Sequence, residues 1–173
     1  MLQEWINSFH HMGIIPLFLI MAIEGCSIPF PGIIAVIPYG YLLSPQIKEI
    51  FGLAIGMSLT YSLFSFIHYW LGLKLQKKMK HRFEKKIKKA QHWFHKIGEW
   101  SIVLTRLLGI GYISYVAGMS DVKMWKYGIF TFVGVYFWSF SLLFLGQIYK
   151  GDPKAVIELF QMYQNYIYIS IGI

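Results

Sequence analysis

Two uncharged runs of 23 residues most constrain what this chain can fold into. Residues 51–73 are FGLAIGMSLTYSLFSFIHYWLGL, residues 127–149 are YGIFTFVGVYFWSFSLLFLGQIY, and neither run contains Asp, Glu, Lys or Arg. A helix of about 20 apolar residues crosses the hydrocarbon core of a bilayer. Only 14% of the chain is charged, against about 25% in soluble domains. The sequence therefore predicts an all-α, multi-pass integral membrane protein, with one membrane domain over residues 1–173 and a spanning helix in each run.

The segment 74–96 carries ten of the sixteen Lys and Arg residues of the chain. A short basic loop beside a spanning helix is typical of the cytoplasmic side of a membrane. Aromatic and aliphatic residues alternate with the lysines, which favours an amphipathic segment lying on anionic lipid headgroups over a nucleic-acid interface. The residues predicted to contact that surface are Lys77, Lys78, Lys85 and Lys88. With this loop inside, 51–73 runs towards the cytoplasm and 127–149 runs away from it.

The apolar block 12–43 is too long for one crossing, and prolines interrupt it. Pro29, Pro31 and Pro38 each remove a backbone donor and disfavour helix in the residue before them. Unpaired backbone at membrane depth is tolerated only where protein or water satisfies it. The block therefore predicts a re-entrant hairpin that turns at Pro29, Pro31 and Gly32, beside a cavity.

A similar block recurs at 101–120, where Gly109, Gly111 and Gly118 interrupt an apolar stretch. Each broken block precedes a clean span, and paired interrupted segments are the best sequence pointer to a midplane binding site in transporters. We therefore expect a second re-entrant hairpin facing the first in an inverted repeat. The tail 155–173 is predicted to be a C-terminal membrane helix.

Glu24 and Arg106 are the only full charges inside the two broken blocks. An ionisable residue at membrane depth costs at least about 2.5 kcal/mol and is a functional hypothesis by default. The alternative is a purely structural ion pair in which each neutralises the other. The uncharged residues predicted to line the site are Ser27, Tyr39, Tyr112 and Ser114, and backbone N–H groups near Gly109 and Gly111 are predicted to add hydrogen-bond donors to it.

The order of these pieces resembles the DedA family of bacterial membrane proteins. A Glu is followed by PFPG, then by a basic loop, and then by an Arg in a glycine-rich stretch that ends AGMSDVKMWKY. The resemblance implies two opposed re-entrant hairpins, a place in the bacterial cytoplasmic membrane, and flippase or scramblase activity on undecaprenyl phosphate or phospholipids. Carried over by position, the family's acid falls on Glu24, its turn on Pro31 and Gly32, its first arginine on Arg106, and its closing AG on Ala117 and Gly118.

Two motifs depart from the family pattern, at three positions in all. An acid usually follows the Pro-Gly pair, and here that residue is Ile33. A proline and a second arginine usually follow the first arginine, and here those residues are Gly109 and Tyr112. One arginine and one acid match the phosphate and the ammonium of phosphatidylethanolamine in sign and number. We therefore expect a zwitterionic phospholipid in preference to undecaprenyl phosphate.

Two further function classes compete with a lipid flippase. One Glu facing one Arg also suits a proton-coupled transporter of a small solute or ion. An intramembrane enzyme needs a metal cluster or a nucleophile–base pair, and the sequence suggests neither, since His68 lies alone in an apolar span. The sequence thus predicts no enzymatic activity, no cofactor and no metal. His68 is interpreted as a packed or cavity-facing side chain.

Overall fold

The computed structural model describes residues 13–26, 32–43, 45–109, 113–120 and 122–148. Over these residues the protein is helical without a strand, which confirms the all-α prediction. The helices are α1 (Ile15–Gly25), α2 (Gly32–Leu43), α3 (Ile47–Ile97), α4 (Trp100–Leu107), α5 (Ile113–Met119) and α6 (Met124–Ile148). The part of α3 from Ile47 to Gln76 and the whole of α6 are long and apolar enough to cross a membrane. The predicted tail helix 155–173 lies outside the described residues.

The first broken block contains two short helices. A proline in its first turn favours the start of α1, because proline fixes the helical φ and its missing N–H has no partner there anyway. The helix ends at Gly25, and the N–H of Cys26 donates to the carbonyl of Ala22. The second helix begins at Gly32 and accommodates Pro38 in its interior. The predicted turn residues Pro29 and Pro31 lie between the two helices, outside the described residues.

The helix α3 is much longer than the predicted span 51–73. It begins at Ile47, where the Glu49 carboxylate accepts a hydrogen bond of 2.8 Å from the N–H of Gln46 and so caps the first turn. It continues for 51 residues through the basic segment 74–96, which was expected to be a separate loop. No Gly or Pro interrupts residues 73–97, and the Lys, Glu, Gln and Ala in this stretch favour helix. The helix ends before Gly98, whose φ of 75° is left-handed.

The second broken block again gives two short helices. The first, α4, ends at Leu107 and is followed by Gly109, whose φ of 71° turns the chain out of the helix. The second, α5, is followed by α6, which starts three residues before the predicted span 127–149. Residues 110–112 lie outside the described part of the chain. Both blocks are thus broken where proline or glycine occurs in the sequence.

The short helices exchange partners between the two halves of the chain. In the first half α1 packs on α3 and α2 packs on α6. In the second half α4 packs on α6 and α5 packs on α3. Each broken block therefore places its first helix on its own long helix and its second helix on the long helix of the other half.

The two exchanged contacts have the same construction. Gly40 of α2 faces Gly146 of α6, and a Cβ added at Gly40 would lie 3.2 Å from the Cα of Gly146. Gly72 of α3 faces Gly118 of α5, and a Cβ added at Gly72 would lie 3.2 Å from the Cα of Gly118. A carbonyl oxygen of the facing helix would lie 2.5 Å from either added carbon. Backbone meets backbone at both crossings, and we call them the glycine crossings.

The apolar core forms two clusters along the long helices. The first cluster contains Leu17, Met21, Val36, Tyr39, Ile50, Met57, Tyr61, Val135, Trp138 and Leu143. The second contains Tyr69, Ile102, Ile113, Ala117, Val122 and Tyr127. Between them α3 and α6 carry buried polar residues, among them Ser62, Ser65 and Thr131. The fold therefore encloses a polar layer between two apolar ones.

Candidate functional site

Arg106 lies in this polar layer and is 3% exposed. It occupies the last turn of α4, where a cation interacts favourably with the negative end of the helix dipole. The close approach of α4 to α6 requires Gly134, because a Cβ added there would lie 2.7 Å from the Cβ of Arg106. The glycine in α6 thus allows the arginine to enter the core of the bundle.

The guanidinium of Arg106 donates hydrogen bonds to three hydroxyl groups on three different helices. Its Nη1 donates to the hydroxyl of Tyr61 at 2.7 Å. Its Nη2 donates to Ser114 Oγ at 2.7 Å and to the hydroxyl of Tyr127 at 3.0 Å. The guanidinium carbon also lies 4.9 Å from the ring centroid of Tyr61, within the range of a cation–π contact. These partners are neutral, so they orient the charge without cancelling it.

Tyr127 connects this group to the rest of the bundle. Its hydroxyl lies 2.9 Å from Ser114 Oγ and 3.4 Å from the carbonyl oxygen of Ser65, to both of which it can donate. Its ring stacks on Tyr69 with 4.8 Å between the centroids. The Tyr69 hydroxyl in turn donates to the carbonyl of Val122 at 2.5 Å. The hydroxyls around Arg106 are therefore held in place by buried aromatic packing.

Glu24 occupies the last turn of α1. Its carboxylate lies against Gly32, the first residue of α2, where an added Cβ would be 2.9 Å from Oε1. This place at the start of α2 is favourable for an anion. The Oε2 atom is buried and accepts no hydrogen bond from a described residue. Glu24 and Arg106 interact electrostatically, and both charges act on Tyr61.

A charged contact also holds the opposite end of α4. Lys126 Nζ donates to Glu99 Oε1 at 2.6 Å, with both side chains about one-third exposed. This hydrogen bond and the neighbouring lysine charges hold the pKa of Glu99 below its usual range. The ion pair fixes the start of α4 to the first turn of α6, while Arg106 fixes its end.

Comparison with known families identifies the scaffold that carries this site. The VTT domain family matches residues 28–148. The chain belongs to the VTT domain family. This result confirms the resemblance to DedA proteins drawn from the sequence, since VTT is the domain of that family.

Two curated proteins are similar to this chain in sequence. An uncharacterized membrane protein of Bacillus subtilis, YbfM, is 26% identical over 165 residues, which cover 86% of this chain and 95% of the relative. Undecaprenyl phosphate transporter A of Staphylococcus aureus is 24% identical over 89 residues, which cover 50% of this chain and 44% of the transporter. No solved structure gives a significant match.

Within this VTT domain several predicted site residues come together. Arg106 contacts Ser114 directly, and the carboxylate of Glu24 lies against Gly32. Gly118 is one member of a glycine crossing, and Tyr39 is buried in the first apolar cluster. Gly109 follows α4 at the surface. The predicted residues outside the described part of the chain are Ser27, Pro29, Pro31, Gly111 and Tyr112, and the side chains of Lys77, Lys78, Lys85 and Lys88 are likewise not described.

Sequence reasoning missed the tyrosines of the VTT domain that bind Arg106. Tyr61 and Tyr127 lie in apolar spans that contain several tyrosines. No regular separation in the sequence links either tyrosine to Arg106. The one available signal is that Tyr61, Ser65 and His68 are four and three residues apart, which places them on one face of α3. That pattern identifies a polar face but does not indicate which residue faces it.

Proposed function

We propose that this protein is a lipid flippase or scramblase that moves a phosphate-bearing headgroup across the bacterial cytoplasmic membrane. The single observation that carries the proposal is the buried Arg106 guanidinium, held by hydroxyls opposite the Glu24 carboxylate between the two broken helix pairs. A phosphate in hydrocarbon is costly without a paired charge. A guanidinium supplies that charge together with a planar set of donors that matches phosphate oxygens.

We further propose that the two broken blocks are re-entrant hairpins related by an inverted repeat. The exchanged packing of the short helices supports this, because each half makes the same two contacts with the long helices. The glycine crossings support it too, since Gly40 with Gly146 and Gly118 with Gly72 pair a short helix with the long helix of the opposite half in the same way. In such a repeat the broken ends of α1 and α4 meet in the middle of the membrane.

The hydroxyls around Arg106 suit exchange with a headgroup. Tyr61, Ser114 and Tyr127 accept hydrogen bonds from the two terminal nitrogens of the guanidinium. An arriving phosphate accepts from the guanidinium in their place, and the freed hydroxyls donate to its remaining oxygens. A hydrogen bond from Arg106 to a phosphate oxygen is stronger than one to a neutral hydroxyl, so the exchange favours the bound phosphate. The hydroxyl bonds that form again when the phosphate leaves keep this binding reversible. The acyl or prenyl chains remain in the surrounding lipid.

The relatives favour a polyprenyl phosphate over phosphatidylethanolamine as the lipid. The Staphylococcus aureus protein is named for undecaprenyl phosphate, and no relative supports the zwitterionic preference expected from the charge count. We therefore put undecaprenyl phosphate first as the substrate. The missing second arginine then requires another donor, and the hydroxyls of Tyr61 and Tyr127 beside Arg106 meet part of that requirement.

A liposome assay on unlabelled lipid tests the function. Purified protein is reconstituted with undecaprenyl phosphate, and an added phosphatase hydrolyses only the monophosphate in the outer leaflet. Transport brings the inner-leaflet lipid to the phosphatase, so hydrolysis proceeds past the outer-leaflet fraction in wild type and stops there for Arg106→Ala. A parallel sample follows phosphatidylethanolamine with a membrane-impermeant amine reagent. If neither lipid moves faster than in protein-free vesicles, the protein is not a flippase of these lipids.

A further inference from the structure

His68 is the third ionisable group at the depth of this site. The predicted membrane segments 12–43, 51–73, 101–120, 127–149 and 155–173 contain two Arg, Lys or His residues between them, Arg106 and His68. A lipid monophosphate carries between one and two negative charges near neutral pH, as a phosphorylated side chain does. Arg106 offsets one of them and Glu24 adds a further negative charge. An imidazolium is the one additional positive charge that these segments can supply.

The position of His68 fits that role. It lies on the same face of α3 as Tyr61 and Ser65, two turns from the tyrosine that accepts a bond from Arg106. Its ring contacts Tyr115 edge-on with 4.7 Å between the centroids, next in sequence to Ser114. Its ring also makes a hydrogen bond to the backbone of Gly25, which follows Glu24, and it lies close enough to Arg106 for a charge on the ring to be repelled by the guanidinium. His68 therefore contacts residues that are next in sequence to Ser114 and to Glu24, and it lies on the helix face of Tyr61.

One ring nitrogen of His68 makes no hydrogen bond within the described part of the chain. The Nδ1 atom is buried and has no hydrogen-bond partner among the described residues. A buried nitrogen without a partner costs about 1–3 kcal/mol. Neither the packing against Tyr115 nor the hydrogen bond to the backbone of Gly25 uses Nδ1. The nitrogen is therefore free to bind a ligand.

We propose that His68 Nδ1 takes the remaining proton of a lipid monophosphate and makes the protein selective for phosphate monoesters. The proton leaves the phosphate hydroxyl and binds Nδ1, which gives an imidazolium facing a phosphate dianion. Arg106 donates to the other oxygens of the same phosphate. A phosphodiester has no such proton, so it gains the bonds to Arg106 and leaves Nδ1 unpaired. The proposal rests on the proposed function and names the headgroup class.

A matched pair of ligands tests whether the protein prefers a phosphate monoester to a phosphodiester. Farnesyl phosphate has one ionisable proton near neutral pH, whereas its methyl diester has the same prenyl chain and a single fixed charge. Calorimetric titration of detergent-purified wild type at pH 7.5 should give binding at least about tenfold tighter for the monoester, the size of one charge-assisted hydrogen bond. In His68→Gln and His68→Phe the preference should shrink to within about twofold.

Two variants and a control make the result decisive. His68→Phe keeps the ring against Tyr115 and removes both nitrogens, so a packing role predicts an unchanged preference. His92→Phe changes an exposed histidine on the same helix and should behave as wild type. Equal binding of the two ligands by wild type, or a preference that survives both His68 variants, would overturn the inference and leave the proposed function standing. Failure of wild type to bind either ligand would remove the proposed function as well.

Discussion

The two halves of the molecule pack alike but hold opposite charges in opposite ways. The helix α1 carries Glu24 in its last turn and contacts α3 through Gly25, where an added Cβ would lie 2.7 Å from the carbonyl oxygen of Tyr61. The helix α4 carries Arg106 in its last turn and contacts α6 at Gly134, so here the glycine belongs to the long helix and not to the short one. The guanidinium is held by three hydroxyls, whereas Oε2 of the carboxylate has no hydrogen bond from a described residue. The arginine therefore has three hydroxyl partners among the described residues, whereas one oxygen of the carboxylate has none there.

From this difference we expect different roles for Arg106 and Glu24. A charge that is held in place can receive a headgroup without reorganising, which lowers the cost of binding. A carboxylate with an unbonded oxygen changes its protonation, or accepts an ammonium group, without breaking an existing hydrogen bond. We therefore expect changes at Arg106 to affect binding and folding together, and changes at Glu24 to affect transport alone.

The strongest test of this contrast is Arg106→Ala. It removes the buried donor of the site, and we expect transport of undecaprenyl phosphate to fall by more than about 100-fold, as when one partner of a buried charge pair is truncated. Three hydroxyls also lose their donor, at about 0.6 kcal/mol for each interhelical bond in a membrane protein, or about 2 kcal/mol of unfolding free energy in total. Arg106→Lys keeps the charge but not the planar fork and should recover only part of the rate. Normal transport by a folded Arg106→Ala protein would contradict the site.

The glycine crossings test whether the halves pack equivalently. Gly118→Val and Gly146→Val each place side-chain atoms on the backbone of the facing helix, and each should lower the unfolding free energy by about 1–3 kcal/mol. Gly52→Ala is the matched control, because nothing lies within 4 Å of a Cβ added there and alanine favours helix. Denaturant unfolding in detergent measures all three. A large loss at one crossing with none at the other would break the equivalence of the halves.

Glu24→Gln should separate transport from stability. The amide keeps the shape of the carboxylate against Gly32 and removes its charge. Transport should fall about tenfold, the size of one lost hydrogen bond to a charged group, while the unfolding free energy stays the same or rises. A variant that unfolds as easily as Arg106→Ala would instead indicate that the two charges form a structural pair.

Tyr127→Phe removes one hydroxyl and keeps the ring that stacks on Tyr69. The lost bond from Arg106 should cost about 0.6 kcal/mol of stability and reduce transport about threefold. Tyr136→Phe is a suitable control, since that tyrosine lies in the same helix among other aromatic rings. If Tyr127→Phe reduced transport as much as Arg106→Ala does, the Tyr127 hydroxyl would be as important for transport as the guanidinium itself.

The ion pair between Glu99 and Lys126 should give the smallest effect. Because Lys126 lowers the pKa of Glu99 in the folded protein, its stabilising contribution is present above the ordinary glutamate pKa of about 4.3 and is lost as the pH falls through the lower folded value. Lys126→Met should therefore reduce stability by less than about 1 kcal/mol at pH 7 and by almost nothing at pH 3. Lys48→Met, an exposed lysine near the start of α3, should show no such pH dependence.

The sequence predicted the helices and their breaks well because these depend on local chemistry. Uncharged runs mark α3 and α6, and proline or glycine marks both interruptions. It placed an end of the helix near Lys74 that the structure does not have, since the change from apolar to basic residues there alters the surroundings of the helix but not its backbone. The hydroxyl partners of Arg106 could not be predicted, because Tyr61 and Tyr127 lie 45 and 21 residues away in sequence and meet only when α4 packs between the long helices.

The unbroken length of α3 has a mechanical consequence. From Tyr61 beside Arg106 to the end of the helix at Ile97 there are 36 residues, or about 54 Å of helix at 1.5 Å per residue. If the helix pivots by about 5° at the buried arginine, its far end sweeps about 5 Å. Such a pivot would turn a small rotation at the buried site into a larger displacement of the basic segment. Binding of the basic segment to a membrane surface would therefore oppose rotation of α3 strongly, because it acts far from the pivot.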